Sequence, residues 1–220
     1  MKVLVVSPHP DDETLGCGGT LLRHSHEGDN IYWLNITSIS ERFGWKQEDV
    51  EKRKKQILKI KEKYAFKEFL NLDYPTTKVD SIPINEMIQK ISVVYEKVKA
   101  EIVYMPFIYD VHTDHQIIAK AMQSTLKWFR YSHIKKVFMY ETLSETEFNF
   151  VEQRKFNPNT FIDISKFLDK KIELMRIYSS EIGEHPFPRS ENIIRSLASI
   201  RGSQSGYLAA EAFELVYHRR

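Results

Sequence analysis

The sequence predicts an α/β fold of three layers, a mostly parallel, Rossmann-like sheet flanked by helices, with a small C-terminal appendage. Two observations predict it. Short apolar runs alternate with longer amphipathic segments, which is the pattern of βαβ units. The chemically loaded turns each follow an apolar run, as expected of an open parallel sheet whose ligands sit beyond the C-terminal ends of the strands.

Taken in order, Val3 to Ser7 reads as a buried strand and Ile31 to Thr37 as a second. Phe69 to Leu72 and Ile102 to Phe107 continue the series, and Val137 to Tyr140 closes it. Between them lie helical patterns. Glu48 to Tyr64 carries Val50, Ile57, Leu58 and Ile60 among charges. Ile84 to Lys99 places Ile84, Ile88, Ile91, Val94, Tyr95 and Val98 close to the 3.6-residue period. Asp114 to Tyr131 is the third pattern. From residue 161 onward the texture changes. Phe161 to Ile164 reads as a strand and Ser165 to Ser180 as a helix, Pro186 and Pro188 interrupt, and Ile193 to Ile200 is helical. Gly206 to Tyr217 fits helix or strand equally. The expectation is one domain over 1–220, with a core at 1–160 and a C-terminal cover at 161–220.

Composition narrows the function classes. Lys plus Arg number 32 against 30 Asp plus Glu, and a net charge of +2 does not suggest a nucleic-acid binder. Cys17 is the only cysteine, which rules out an intrachain disulfide or a multi-cysteine metal site. No apolar run approaches the length of a membrane span. The apolar run at Val3 is too short for the core of a signal peptide. These features lead to the expectation of a soluble, cytoplasmic protein, and they leave homo-oligomerisation open.

The first chemical motif is Pro8-His9-Pro10-Asp11-Asp12-Glu13. One imidazole and three carboxylates crowd a turn that two prolines restrict. Such a cluster repels and desolvates itself unless a cation compensates. His and Asp ligands suit zinc or a similar first-row divalent ion. An acidic turn capping the next helix is the plainer alternative. The second motif is His112-Thr113-Asp114-His115. At a helix start, positions i and i+3 share a face, so both histidines can address one site, although an exposed helix terminus would look the same. The pairing of both motifs on one rim favours the metal. His9, Asp12 and His115 supply the three protein ligands of a catalytic site, and Asp11 and His112 remain for proton work.

These residues carry a resemblance. A strand ending in P-H-P-D-D-E, followed by Gly16-Cys17-Gly18-Gly19-Thr20 and by H-x-D-H about 100 residues on, resembles the PIG-L/LmbE family of zinc-dependent N-acetylglucosamine deacetylases. Arg201-Gly202, Gly206-Tyr207 and Glu211-Ala212-Phe213 resemble that family's closing segment. The resemblance implies that His9, Asp12 and His115 bind Zn2+, with another divalent ion such as Fe2+ as the alternative. It also implies that Asp11 is the general base, that His112 stabilises the oxyanion as an imidazolium, and that Asp114 orients a neighbouring histidine. The implied reaction is hydrolysis of an N-acetyl group from an N-acetylglucosamine-type amino-sugar conjugate. Two readings compete with it: a zinc amidase acting on a non-sugar N-acyl substrate, and a non-hydrolytic nucleotide-binding α/β module. The missing G-x-G-x-x-G and Walker patterns argue against the second. Two departures stand out. Gln56 sits where the family often has an acid three residues after Arg53, and Asp110 sits where thiol-sugar members can carry a tyrosine.

Three further residues are substrate-binding candidates. Asp73 and Asp80 follow a strand on the same rim, with an ordinary turn as the alternative. Arg53 suits a substrate phosphate or hydroxyl, with a solvated helix face as the alternative. Gly16, Gly18 and Gly19 suit close packing of helix against sheet, and Cys17 a small buried filler.

Overall fold

The five apolar runs of the first 140 residues pair side by side, and all but the edge run at Phe69 to Leu72 are largely buried. The structure, a computed structural model, describes residues 1–220. Strands β1 (Lys2–Ser7), β2 (Asn30–Ser38), β3 (Glu68–Pro75), β4 (Ile102–Pro106) and β5 (Lys136–Tyr140) are parallel. They are followed by β6 (Thr160–Asp163) and β7 (Ala210–His218), and the sheet order is β3-β2-β1-β4-β5-β7-β6. Strand β7 runs antiparallel to both of its neighbours.

In β1, Leu4 and Val6 join one core cluster while Val3 and Val5 join the other. Both faces are therefore covered, which explains a continuous apolar run in place of an alternating one. On the first face lie α3 (Ile84–Val98) and α4 (Thr113–Thr125), which bury Met87, Ile91, Val94, Tyr95, Ile118 and Met122. On the second lie α1 (Asp12–His26), α2 (Gln47–Tyr64), α5 (Leu168–Ile177) and α6 (Glu191–Ser205). No helix is long and apolar enough to cross a membrane.

Several boundaries differ from expectation: α5 is shorter than Ser165 to Ser180, and α6 is longer than Ile193 to Ile200. Helix α4 stops at Thr125, short of Tyr131. Ser124 and Thr125 turn their hydroxyls back onto the carbonyls of Lys120 and Met122, offering the backbone an alternative to further helix. Trp128 and Phe129 beyond it are exposed. The ambiguous segment from Gly206 is strand β7, which starts after Gly206 ends α6 in the left-handed conformation at φ 80°.

The C-terminal segment shares the sheet and grips α1. Glu211 of β7 accepts the backbone N–H groups of Gly19 and Thr20 at 2.9 and 2.8 Å. Lys171 of α5 donates to Glu211 and to the Leu15 carbonyl, both at 2.7 Å. This ion pair is buried, and removing one partner of such a pair typically costs about 3–5 kcal/mol. Helix α1 also approaches closely through its glycines. A Cβ on Gly16 would sit 2.2 Å from the Tyr140 ring, and one on Gly19 would sit 2.6 Å from Ile164. Cys17 is fully buried among the same contacts.

The strand order reverses between β1 and β4. The chain leaves β1 towards β2 and β3 on one side, and leaves β4 towards β5 on the other. A crevice opens beyond the C-terminal ends of such a pair, and both chemically loaded turns fall there.

Candidate active site

The turn after β1 enters α1 through Asp11, whose carbonyl accepts the N–H groups of Thr14 and Leu15 at 2.9 Å. Asp12 and Glu13 occupy the first helical turn, where the helix dipole favours negative charge. Asp11 has φ 150° and ψ −28°, a strained conformation for a side chain with a Cβ, of a kind that costs about 1–3 kcal/mol and persists only when the surroundings enforce it. The turn after β4 enters α4 through His112, whose Nδ1 accepts the Asp114 N–H at 3.1 Å as a helix cap.

The two turns meet. Asp12 Oδ2 lies 3.5 Å from His9 Nδ1 and 3.3 Å from His115 Nε2. One ligand atom from each of His9, Asp12 and His115 falls within a 4.8 Å cluster. The outer ring nitrogens are committed elsewhere. His9 Nε2 pairs with Asp114 Oδ2 at 3.1 Å, and His115 Nδ1 pairs with Asp110 Oδ2 at 2.9 Å. Each imidazole thus donates outward to a carboxylate and turns its other nitrogen towards Asp12, the orientation that metal-ligating histidines adopt. Two imidazole nitrogens and one carboxylate oxygen suit a first-row divalent ion and leave a coordination position free. The donor set therefore fits a metal.

Charge follows the geometry. Burial alone would raise the Asp12 carboxyl, but the facing His115 and His9 hold it well below the usual carboxylate range. Burial pulls His9 down, and its bonds to Asp114 and Asp12 outweigh that and leave it at about 9. Burial, Asp12 and Glu181 push Asp11 well above the carboxylate range against the pull of Arg53 and Arg189. Burial pushes Glu13 up to about 7 despite hydrogen bonds from Thr14 and Tyr178. A raised carboxyl in a cleft suits proton transfer.

His112 departs from what the resemblance implied. Its Nδ1 accepts a backbone N–H, which an imidazolium cannot do. Burial, with His9 and His115 close by, pushes it down to about 4. The ring is neutral with its proton on Nε2, a hydrogen-bond donor without a full charge. Its centroid is 4.6 Å from that of His9.

A cavity of about 340 Å³ opens over these groups. Of its 19 lining residues only Ile39 and Trp45 are hydrophobic, so the ligand it suits is polar. Arg53 lines it and is not on a solvated helix face. Its guanidinium donates to the Pro10 carbonyl and to Glu181. Asp73 and Asp80 are not brought in. The strand runs further than expected, so that Asp73 lies within β3, and the wall takes Thr76 from the loop after it but neither aspartate. Asp73, at φ 58°, pairs with Ser38 and Arg42 on the surface. Asp80 is exposed, because the loop is drawn inward by its backbone: the Thr77 and Val79 N–H groups donate to Asp114 at 2.8 and 3.3 Å.

Sequence reasoning missed Asp110, Glu13, Glu181 and Arg189. Asp110 was visible only as a departure from a pattern, although a carboxylate five residues before a ligand histidine was the available signal. Arg189 places Nη1 3.2 Å from Asp11 Oδ2 and 3.4 Å from Glu181 Oε2, and no local motif marks it. A second cluster, His24, Glu27 and Asp29, is structural. The two ring nitrogens of His24 are taken by Asp29 and Tyr104.

Comparison with known proteins agrees with this architecture. The chain is 27% identical over 233 residues to a diacetylchitobiose deacetylase of Thermococcus kodakarensis, covering 98% of this chain and 83% of that protein. The structure of an N,N'-diacetylchitobiose deacetylase from Pyrococcus horikoshii superposes with a TM-score of 0.78 at 20% identity, covering 98% of this chain and 84% of the other. A 4-carboxy-2-hydroxymuconate hydratase of Pseudomonas putida superposes with a TM-score of 0.74 at 18% identity, covering 100% and 97%. At such identities these two structures share the fold, which hosts more than one chemistry. The description PIG-L: GlcNAc-PI de-N-acetylase matches residues 4–126, more than half of the sequence and both turns of the site, and the chain belongs to that family.

Proposed function

We propose that the chain is a zinc-dependent hydrolase that removes the N-acetyl group from an N-acetylglucosamine-type amino-sugar conjugate. The observation that carries this reading is the convergence of His9, Asp12 and His115 beside Asp11 in one polar cavity. The deacetylase relative and the family description support the same chemistry. The scarcity of apolar wall residues supports a polyhydroxylated substrate over an apolar amide.

His9, Asp12 and His115 would hold the zinc, which when bound would supply a Lewis acid for the amide carbonyl and lower the pKa of water. The chain's own residues do the rest. Asp114 and Asp110 fix the two imidazoles in the tautomers that present Nδ1 of His9 and Nε2 of His115. Asp11 takes the proton of the attacking water and later delivers it to the leaving amine nitrogen, and its raised carboxyl suits both halves of that exchange. His112 donates its Nε2–H to the carbonyl oxygen as that atom gains negative charge.

The test is acetate release from N-acetylhexosamine derivatives by the zinc-loaded protein, with N-acetylated alkylamines as comparison. Release from the sugars alone supports the proposal. Release from the alkylamines at an equal or higher rate points to a general amidase, and release from neither removes the hydrolase reading.

A further inference from the structure

The strained turn that carries Asp11 is closed by a ring of charges that crosses from α2 to the loop between α5 and α6. Arg53 of α2 donates one arm of its guanidinium to the Pro10 carbonyl, the group bonded to the Asp11 nitrogen, and the other arm to Glu181. The second carboxylate oxygen of Glu181 meets Arg189 Nη1 at 3.4 Å, and the same nitrogen reaches Asp11 Oδ2 at 3.2 Å. The ring thus begins on the backbone of the Asp11 turn and ends on the Asp11 side chain. Glu13 adds a brace from below, accepting the Asp11 N–H at 3.1 Å.

Glu181 is the only member that joins the two arginines. It is the sole ion-pair partner of Arg53. Gln56, one helical turn from Arg53, is neutral, and its amide is spent on the Ile177 carbonyl at 2.9 Å. Without Glu181 the two guanidiniums would face the cavity with no carboxylate between them, and the turn would keep only the Arg189 contact as its tie to the C-terminal loop.

We infer that Glu181 and Arg189 are positioning residues that hold the Asp11 carboxylate and its strained backbone in the geometry for proton transfer. They act through Asp11 and not on the substrate. The inference rests on the role given to Asp11 under the proposed function. A misplaced catalytic group costs rate while substrate binding survives, because orientation matters most in the transition state.

The experiment compares wild type, Glu181→Gln, Asp11→Asn and the double variant, all loaded with zinc and checked for metal content and melting temperature. Glu181→Gln is expected to lose about 10–100-fold in kcat with KM within about twofold of wild type, and to lose nothing further in the Asp11→Asn background. An increased KM at unchanged kcat would make Glu181 a substrate contact and overturn the inference, as would wild-type kinetics. If Glu181→Gln fails to fold or to hold metal, the same split is read on Arg189→Met, which keeps the length of the side chain and removes the one nitrogen that meets both Glu181 and Asp11. Wild-type kcat in that variant overturns the inference. Activity retained in Asp11→Asn instead removes the function reading, so the two failures are distinct.

Discussion

The carboxylate of Asp110 accepts the Nδ1–H of His115 at 2.9 Å, and both side chains are sealed from solvent. The other Asp110 oxygen accepts Thr146 Oγ1 at 2.6 Å, so the aspartate cannot swing away. The bond fixes the tautomer that leaves His115 Nε2 for the metal. Asp110→Ala is expected to weaken metal binding by about 10–100-fold, and Asp110→Asn by less, because it keeps an acceptor and loses only the charge. Chelator competition reads both. Wild-type affinity in Asp110→Ala would show that the bond is irrelevant to the site.

Metal binding is expected to release protons. In the metal-free protein His9 titrates near 9, and His115 is raised well above its ordinary value because Asp12 and Asp110 outweigh its burial. Both histidines are therefore protonated at pH 7 and must lose those protons to bind an ion, about two per chain. The sign follows: affinity rises with pH and levels off only above the His9 value. Calorimetric titration with zinc in buffers of different ionisation enthalpy counts the protons. A count near zero would mean that the histidines are neutral before the metal arrives.

Gly16→Ala separates propensity from packing. Inside a helix, alanine is better than glycine by about 0.8–1.0 kcal/mol. The new methyl would lie 2.2 Å from the ring of Tyr140, which is fully buried and tied by its hydroxyl to the Val6 carbonyl at 2.9 Å. Overpacking of this kind costs about 1–3 kcal/mol, so a net loss is expected. The denaturation midpoint should fall at unchanged slope. A rise would show that α1 can shift without penalty.

These cases also show where the sequence could be read and where it could not. His9, Asp11, Asp12, His112, Asp114 and His115 lie in two short turns, each directly after a parallel strand, and the switch-point rule brings such turns together without knowledge of any side-chain contact. Asp73 lies near the end of β3 and Asp80 beyond it on the same rim, but the rule locates a rim and does not say which of its residues turn inward. That was decided by Asp114 drawing in the backbone at Thr77 and Val79. Glu181 and Arg189 lie in a proline-interrupted stretch with no period, and only the packing of the C-terminal segment brings them to Asp11. The run from Gly206 to Tyr217 was ambiguous for a related reason. The first four residues of β7, Ala210 to Phe213, are all buried, and such a stretch has no alternation to distinguish it from a buried helix.

The end of β3 and the loop after it give a direct contrast. Asp73→Asn and Asp80→Asn are expected to leave kcat and KM unchanged, since neither residue lines the cavity. Thr76 does line it, with its hydroxyl bonded to Thr37 at 3.1 Å. Thr76→Val should raise KM with little change in kcat, the signature of a contact made equally in ground and transition states. Steady-state kinetics on all three variants checks this. A KM effect confined to Asp73 or Asp80 would mean that the loop folds inward when substrate binds.

Asp11 and Asp12 are chemically identical neighbours placed in opposite surroundings, which makes them the sharpest test of the mechanism. Asp12 faces two imidazoles and is held ionised. Asp11 faces Arg189 across 3.2 Å on the cavity wall, in a conformation that points the two carboxylates to different tasks. Asp11→Asn removes the proton acceptor and leaves the ligand set whole, so it should bind zinc normally and lose about 10²–10⁴-fold in turnover. The low-pH limb of its rate profile should vanish with the base. Asp12→Asn removes a ligand, so metal should be lost first and activity with it, and excess zinc should restore part of both. Elemental analysis beside single-turnover kinetics distinguishes the outcomes. Loss of zinc in Asp11→Asn with retention in Asp12→Asn would exchange the two roles. Full turnover in both would mean that neither carboxylate takes part in the chemistry.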